Sequence, residues 1–257
     1  MTPPPVLIVH APGTNRDGDA ADAVRAAGGD PRIVLVEDLR RGEARFADHA
    51  ALVVPGGFSH GDALGAGSRL ALELRAWFAD ELAAFVAAGR PVLGICNGFQ
   101  ALVKAGLLPG PRLGDRPRTV TLTANRHGRF ECRWVRLRVE ACRSGWLAPV
   151  AGRVIDCPVA HGEGRLFAAG DEVVAALDAE RLVAFRYVDA EGRPAGGRHP
   201  DNPNGSVADV AGICDDTGVV VGLMPHPEDH IVSSQTPHPR RARLGLAVFE
   251  ALVEAAR

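Results

Sequence analysis

The sequence predicts an α/β fold: a mostly parallel sheet covered by helices on both faces and extended by antiparallel strands. Three observations carry this. Apolar runs at 6–11, 32–36, 51–55 and 92–96 are continuous, as strands buried on both faces are. Helix-patterned segments separate them, the alternation that βαβ units require. From residue 119 the pattern changes to apolar and polar residues in turn, the mark of half-solvated antiparallel strands.

In chain order, Val6-Leu7-Ile8-Val9-His10-Ala11 runs into the turn residues Pro12-Gly13-Thr14-Asn15, and 17–27 has helix composition stopped by Gly28-Gly29. Strands follow at 32–36 and 51–55 across a polar connection, and the longest helical pattern covers 69–88. Gly89 and Pro91 lead in a buried strand that ends at Cys96, and 100–105 reads as a helix closed by Gly106. Segments 119–123 and 130–139 alternate and are expected to extend the sheet. Further strands are predicted at 154–160, 182–188, 206–214 and 219–224, and a last amphipathic helix over 240–256. The stretch 189–204, dense in Gly, Pro, Asp and Asn, reads as a surface excursion because strand patterns resume directly after it. No internal repeat and no second core pattern is visible, so one domain over 1–257 is expected.

The formal net charge of −2 over 257 residues gives no general pull toward nucleic acid or a membrane surface. Five cysteines (Cys96, Cys132, Cys142, Cys157, Cys214), without a CxxC pair or a secretory leader, point to free thiols in a reducing compartment and hence to the cytoplasm. The opening Met-Thr-Pro-Pro-Pro enters a strand too short and too quickly polar for a signal peptide or a membrane span. No Gly-x-x-x-x-Gly-Lys-Ser/Thr sequence is present, so no nucleotide site of the P-loop type is expected.

Cys96 sits on a strand-to-helix turn, one residue from Gly94 on one side and Gly98 on the other. That spacing makes room for a sharp elbow holding a strained nucleophile. The helix start offers unpaired N–H groups and the positive end of a dipole, which favour thiolate. The competing reading is a buried structural cysteine beside a tight turn. His226 and Glu228 lie two apart in an extended, proline-stiffened segment at the end of an apolar strand. Both side chains then point one way, and the carboxylate can orient the imidazole. Gly56-Gly57 end the third strand, where backbone N–H groups can turn toward a reacting carbonyl and, with the Asn97 N–H, form an oxyanion hole. His226 and His230 have metal-ligand spacing for a helix, but Pro227 between them argues against one, and no metal site is expected.

Gly-Ile-Cys-Asn-Gly-Phe-Gln at 94–100, Pro-Gly-Gly-Phe-Ser at 55–59 and Met-Pro-His-Pro-Glu at 224–228 together resemble the triad-type (class I) glutamine amidotransferases. Leu122-Thr-Ala-Asn125, Arg129-Phe130-Glu-Cys-Arg-Trp134, Ala160-His-Gly-Glu-Gly-Arg165 and the run from Asn202 to Cys214 are similar to the glutaminase-subunit family of phosphoribosylformylglycinamidine synthase. The resemblance spans nearly the whole chain. It implies a flavodoxin-like three-layer sandwich and hydrolysis of L-glutamine. Cys96 would attack the carboxamide carbon, His226 protonate the departing ammonia and Glu228 hold His226 in the useful tautomer. Gly57 and Asn97 would supply the oxyanion donors, and Gly56, Phe58, Gln100, Arg129 and Phe130 would help hold the glutamine. Ammonia would pass to a separate synthetase subunit that uses ATP and Mg²⁺, with a small assembly subunit in some members, while this chain binds no cofactor. Two other readings stand beside it: a free-standing cysteine hydrolase of the same fold and a non-catalytic regulatory subunit. The chain departs from the family pattern at His60, at Asp229 and in the longer 193–201 loop.

Overall fold

The protein is described by a computed structural model over residues 2–110, 119–236 and 244–257. The first half alternates strands and helices: β1 (Pro5–His10), α1 (Asp17–Ala26), β2 (Asp30–Leu35), α2 (Val36–Arg40), β3 (Ala51–Val54), α3 (Ser68–Trp77), α4 (Ala79–Ala87), β4 (Val92–Ile95) and α5 (Asn97–Ala105). β5 (Val120–Thr123), β6 (Glu131–Val139), β7 (Val154–His161), β8 (Arg165–Ala168), α6 (Asp171–Ala179), β9 (Val183–Val188), β10 (Val210–Cys214), β11 (Val220–Leu223) and α7 (Leu246–Ala255) follow.

Nine strands form one sheet in the order β2-β1-β3-β4-β11-β10-β9-β6-β7. From β2 to β11 neighbours are parallel, and from β11 to β7 they are antiparallel. The inner parallel strands β1, β3 and β4 are apolar because both faces are covered. Val6, Leu7 and Ile8 of β1, all of β3 and Leu93 of β4 have no exposed surface. β2, at the sheet edge, is not the doubly buried strand expected at 32–36: it carries Asp30 and Arg32, and Ile33 and Leu35 are exposed. α1 carries Asp17 and Asp19 in its first turn and Arg25 in its last, matching the helix dipole.

Several expectations are corrected. Segment 119–123 does not extend the main sheet: among the described residues β5 pairs with β8 in a separate two-stranded ribbon. The 69–88 pattern is not one helix but α3 and α4, broken at Phe78 (φ −128°, ψ 19°). That break turns the Phe78 ring into the core, 5.4 Å from the Phe46 ring. Strand β10 begins at Val210 rather than 206, because Ala208 and Asp209 take positive φ (49° and 57°). The Asp209 carboxylate there accepts N–H bonds from Gly196 and Gly197 at 2.6 and 2.8 Å. The 189–204 excursion is not wholly superficial, since Asn202 and Asn204 are buried. α7 starts at Leu246, and 240–243, where that helix was expected to begin, lie outside the described residues. α2, β8 and α6 had not been read from the sequence.

β3, β4 and β11 are parallel neighbours, with Val54 opposite Gly94 and Ile95 opposite Leu223. The residues that follow them, Gly56-Gly57, Cys96 and His226, therefore leave the sheet at one edge, where ligands of open α/β sheets gather. Close packing there excludes side chains: a Cβ on Gly98 would lie 1.9 Å from the Val54 carbonyl oxygen.

Candidate active site

Cys96 stands between β4 and α5 with φ 49° and ψ −106°, a conformation that L-residues rarely adopt and that surrounding structure must enforce. Its N–H donates to the Leu223 carbonyl (2.8 Å), and its carbonyl accepts from Gln100 N–H (3.0 Å), so strand and helix clamp it from both sides. The thiol is buried, with Sγ 3.9 Å from the Ala160 carbonyl.

His226 is anchored by its own N–H to the Pro158 carbonyl (2.8 Å), and its Nδ1 lies 2.6 Å from Glu228 Oε1. Both side chains are almost wholly buried. Burial disfavours the imidazolium, but the Glu228 carboxylate and the Cys96 sulfur outweigh it and raise His226 well above its usual range. Among the described residues, Nε2 has no partner at closed hydrogen-bond distance. The two side chains meet over Gly56, where a Cβ would lie 2.7 Å from His226 Cε1 and 3.4 Å from Cys96 Cβ.

Gly57 has φ +129°, and a Cβ on it would lie 2.7 Å from Asn15 N, so glycine is required twice over. Among the described residues no acceptor takes the N–H of Gly57 or of Asn97. The Asn97 side chain binds the Gly57 loop to the start of α5. Its Oδ1 accepts from Ser59 N (3.2 Å) and Oγ (2.5 Å), and its Nδ2 donates to Asp62 Oδ1 (3.0 Å). His60 sits at φ 54° with Nε2 2.8 Å from the buried Glu73 carboxylate. It anchors the same loop to α3.

The residues named for holding glutamine separate into three settings. Gln100 has its amide occupied: Nε2 donates to the Glu163 carbonyl (2.7 Å) and Oε1 accepts from Asn97 Nδ2 (3.2 Å), which ties the 161–165 turn to α5. Phe58 and Phe130 are exposed rings, and Phe130 Cδ2 lies 3.8 Å from where a Gly162 Cβ would be, beside that turn. Arg129 instead lines a cleft of about 540 Å³ with Arg126, His127, Glu131, Arg133 and His199, and none of Cys96, His226 or Glu228 forms its wall.

In that cleft the ligand atoms of His127, Glu131 and His199 lie within 4.8 Å of one another, spacing that can hold a metal ion. The hydrogen bonds favour an ion-pair cluster. His127 Nε2 faces both Glu131 Oε1 and the Pro203 carbonyl at 3.0 Å, its Nδ1 takes the Arg129 N–H at 3.3 Å, and Arg133 holds the other Glu131 oxygen. His230 is also engaged, with Nδ1 on the Asp156 carbonyl and its ring edge-on to Trp134. Asp229, 3.3 Å from Arg16 Nη1, is pushed up to about 6 by burial and by the neighbouring Glu228 carboxylate. Sequence reasoning missed the part played by 158–164, which touches His226 through Pro158, Cys96 through Ala160 and Gln100 through Glu163, and missed His161 within it. The only signal was that these residues belong to a motif.

A profile of the CobB/CobQ-like glutamine amidotransferase domain matches residues 3–254, and the chain belongs to that family of glutamine amidotransferases. Within it, the chain resembles phosphoribosylformylglycinamidine synthase subunit PurQ of Treponema denticola, 48% identical over 241 residues and 89% of each chain. The PurQ subunit of Frankia casuarinae is 45% identical over 239 residues, 91% of this chain and 88% of that one. These relatives place it among the PurQ-type glutaminase subunits. The structure of PurLQS from Thermotoga maritima matches with a TM-score of 0.75 at 31% identity over the whole of both chains. A glutamine amidotransferase from the same organism, 13% identical with a TM-score of 0.56 over 98% of this chain and 97% of that one, shares the fold.

Proposed function

We propose that this chain hydrolyses L-glutamine to glutamate and ammonia through a γ-glutamyl thioester on Cys96. The ammonia goes to a synthetase subunit that converts N-formylglycinamide ribonucleotide to its amidine. The observation that carries this is the meeting of Cys96, His226 and Glu228 over Gly56, delivered by the ends of adjacent parallel strands. With the thiol proton held on His226 as an imidazolium, the Cys96 thiolate attacks the carboxamide carbon. The proton then passes from Nε2 to the departing nitrogen as the C–N bond breaks. Water, deprotonated by the same ring, attacks the thioester and releases glutamate and the thiol. Glu228 accepts the Nδ1 proton bond throughout and so keeps Nε2 facing the chemistry. The free N–H groups of Gly57 and Asn97 stabilise both tetrahedral oxyanions, a donor of this kind being worth about 10²–10³ in rate.

Gly56 and the exposed rings of Phe58 and Phe130 border the glutamine, while Gln100 acts on it through the turn that it ties down. ATP and Mg²⁺ belong to the synthetase partner, a small third subunit assists assembly, and residues 1–257 act as one glutaminase domain in the cytoplasm. No helix among the described residues is long and apolar enough to cross a membrane. The test is glutamate release by the purified chain with and without its synthetase subunit. Release that rises on assembly supports the reading, and an assembled complex that uses ammonium salts but never glutamine overturns it.

A further inference from the structure

His161 closes β7 and is 3% exposed, yet its Nε2 has no hydrogen-bond partner among the described residues. A buried acceptor left bare is costly, so a native site that keeps one calls for a reason. Its tautomer follows from Asn125. Asn125 Nδ2 donates to the carbonyls of Arg129 (2.8 Å) and His161 (2.9 Å), and Oδ1 accepts from Gly164 N–H (3.0 Å). Turning that amide over would set its oxygen against two carbonyls and its NH₂ against an N–H, so the orientation is fixed. His161 Nδ1, 3.2 Å from Asn125 Oδ1, must therefore bring the proton. Nε2 is left as a lone pair. Burial, reinforced by the positive charge of His226, pushes the imidazole down to about 4, so the ring is neutral at physiological pH.

The ring's place is equally constrained. The preceding carbonyl, of Ala160, is 3.9 Å from Cys96 Sγ, the Pro158 carbonyl takes the His226 N–H, and the Glu163 carbonyl takes Gln100 Nε2. A Cβ on Gly164 would come within 2.3 Å of the imidazole, so the turn folds tightly around it.

We infer that His161 Nε2 accepts a hydrogen bond from the carboxamide nitrogen of glutamine, and then from the ammonia which that nitrogen becomes. The inference rests on the Cys96 reading. The glutamine carbonyl oxygen is directed at the Gly57 and Asn97 donors, which leaves the NH₂ group to be satisfied elsewhere. The proton that converts it to a leaving group comes from His226, and His161 exchanges none. A carboxylate in this place would favour ammonium, which is not a nucleophile. A neutral, weakly basic ring orients the nitrogen and releases it as ammonia.

L-Glutamate γ-methyl ester tests this, since it gives Cys96 the same acyl group with a leaving group that has no N–H. In the complex with the synthetase subunit, His161→Phe is expected to lower kcat/KM for glutamine about 10- to 100-fold, the worth of one buried acceptor. The loss for the ester is expected to be at least fivefold smaller, and His161→Gln, which restores an acceptor oxygen, to recover part of the amide activity. Parallel losses on both substrates, or no loss on glutamine, overturn the inference and leave Cys96 in place. Wild-type hydrolysis that survives in Cys96→Ala removes the Cys96 reading and this inference with it. Nitrogen NMR of the histidine-labelled wild-type chain gives a second measure: the Nδ1-protonated tautomer should persist between about pH 5.5 and 8, and titration in that range contradicts it.

Discussion

The parallel half of the sheet and the antiparallel half build different parts of the same site. In the parallel half, three neighbouring strand ends deliver Cys96 with Asn97, His226 with Glu228, and the Gly56-Gly57 loop, the residues to which the proposed chemistry assigns nucleophile, base and oxyanion donors. Each is a local motif whose geometry follows from a strand ending in a short turn. The antiparallel half contributes a wall, the 158–164 turn, held by buried amides drawn from distant stretches: Asn125, and Asn204, whose Nδ2 donates to the Gly164 carbonyl at 2.8 Å. The proposed reactive groups are thus specified locally, and the wall that the inference assigns to the substrate nitrogen is specified by tertiary contacts.

Replacing the nucleophile gives the sharpest contrast. Cys96→Ala should reduce glutamine-dependent synthesis to background while synthesis from ammonium salts continues, because only ammonia production passes through this thiol. Equal loss of ammonium-dependent turnover in a folded complex would break the division of labour. His226→Ala is expected to lower kcat by about 10²–10⁴-fold, the usual worth of a positioned general base, with thermal stability little changed. Gly57→Ala must displace Asn15 from a 2.7 Å contact, and should lower kcat about 10²-fold while weakening glutamine binding much less, since the oxyanion exists only after attack. Steady-state kinetics separate the two effects.

In the other half the order of effects reverses. Asn202, 1% exposed, donates to the Ser206 carbonyl and to Asp209 Oδ1, and accepts from Gly205 N–H, each at 2.9 Å. Asn202→Ala should cost about 2–3 kcal/mol of stability, read from denaturant unfolding, with kcat within a few-fold of wild type. A loss of kcat as deep as that of His226→Ala would merge the two halves into one functional unit.

The smallest effect concerns Asp229. Folding raises this carboxyl from 3.8 to about 6, so between roughly pH 4 and 6 the folded chain binds more protons than the unfolded one, and stability from this group falls as pH rises. Asp229→Asn should therefore stabilise the chain by about 1 kcal/mol or less at pH 7.5, solvent screening and loss of the Arg16 contact limiting the gain. The gain should vanish near pH 4, and a gain that grew on acidification would reverse the assigned sign.

What could be read from the sequence follows the same division. Continuous apolar runs located β1, β3, β4 and β11, and glycines beside Cys96 marked the elbow, because these features depend on neighbours in sequence. The β5–β8 ribbon was misassigned to the sheet, since alternation shows that a strand has one solvated face but not which strand pairs with it. His161 and Asn125 were visible only as members of a motif. Their tautomer and orientation depend on carbonyls brought in from 129 and 161, which no local pattern encodes.

The most direct test of the central claim, that the elbow and its partners single out one thiol, is peptide mapping after treatment with a glutamine-like chloroketone. Cys132 is the exposed cysteine and Cys142 is drawn down to about 7 beside Cys214, so simple accessibility favours the first and simple acidity the second. The account predicts that Cys96 alone is alkylated at low excess and that L-glutamine protects it. Modification of Cys132 or Cys142 first, without protection by glutamine, would contradict it.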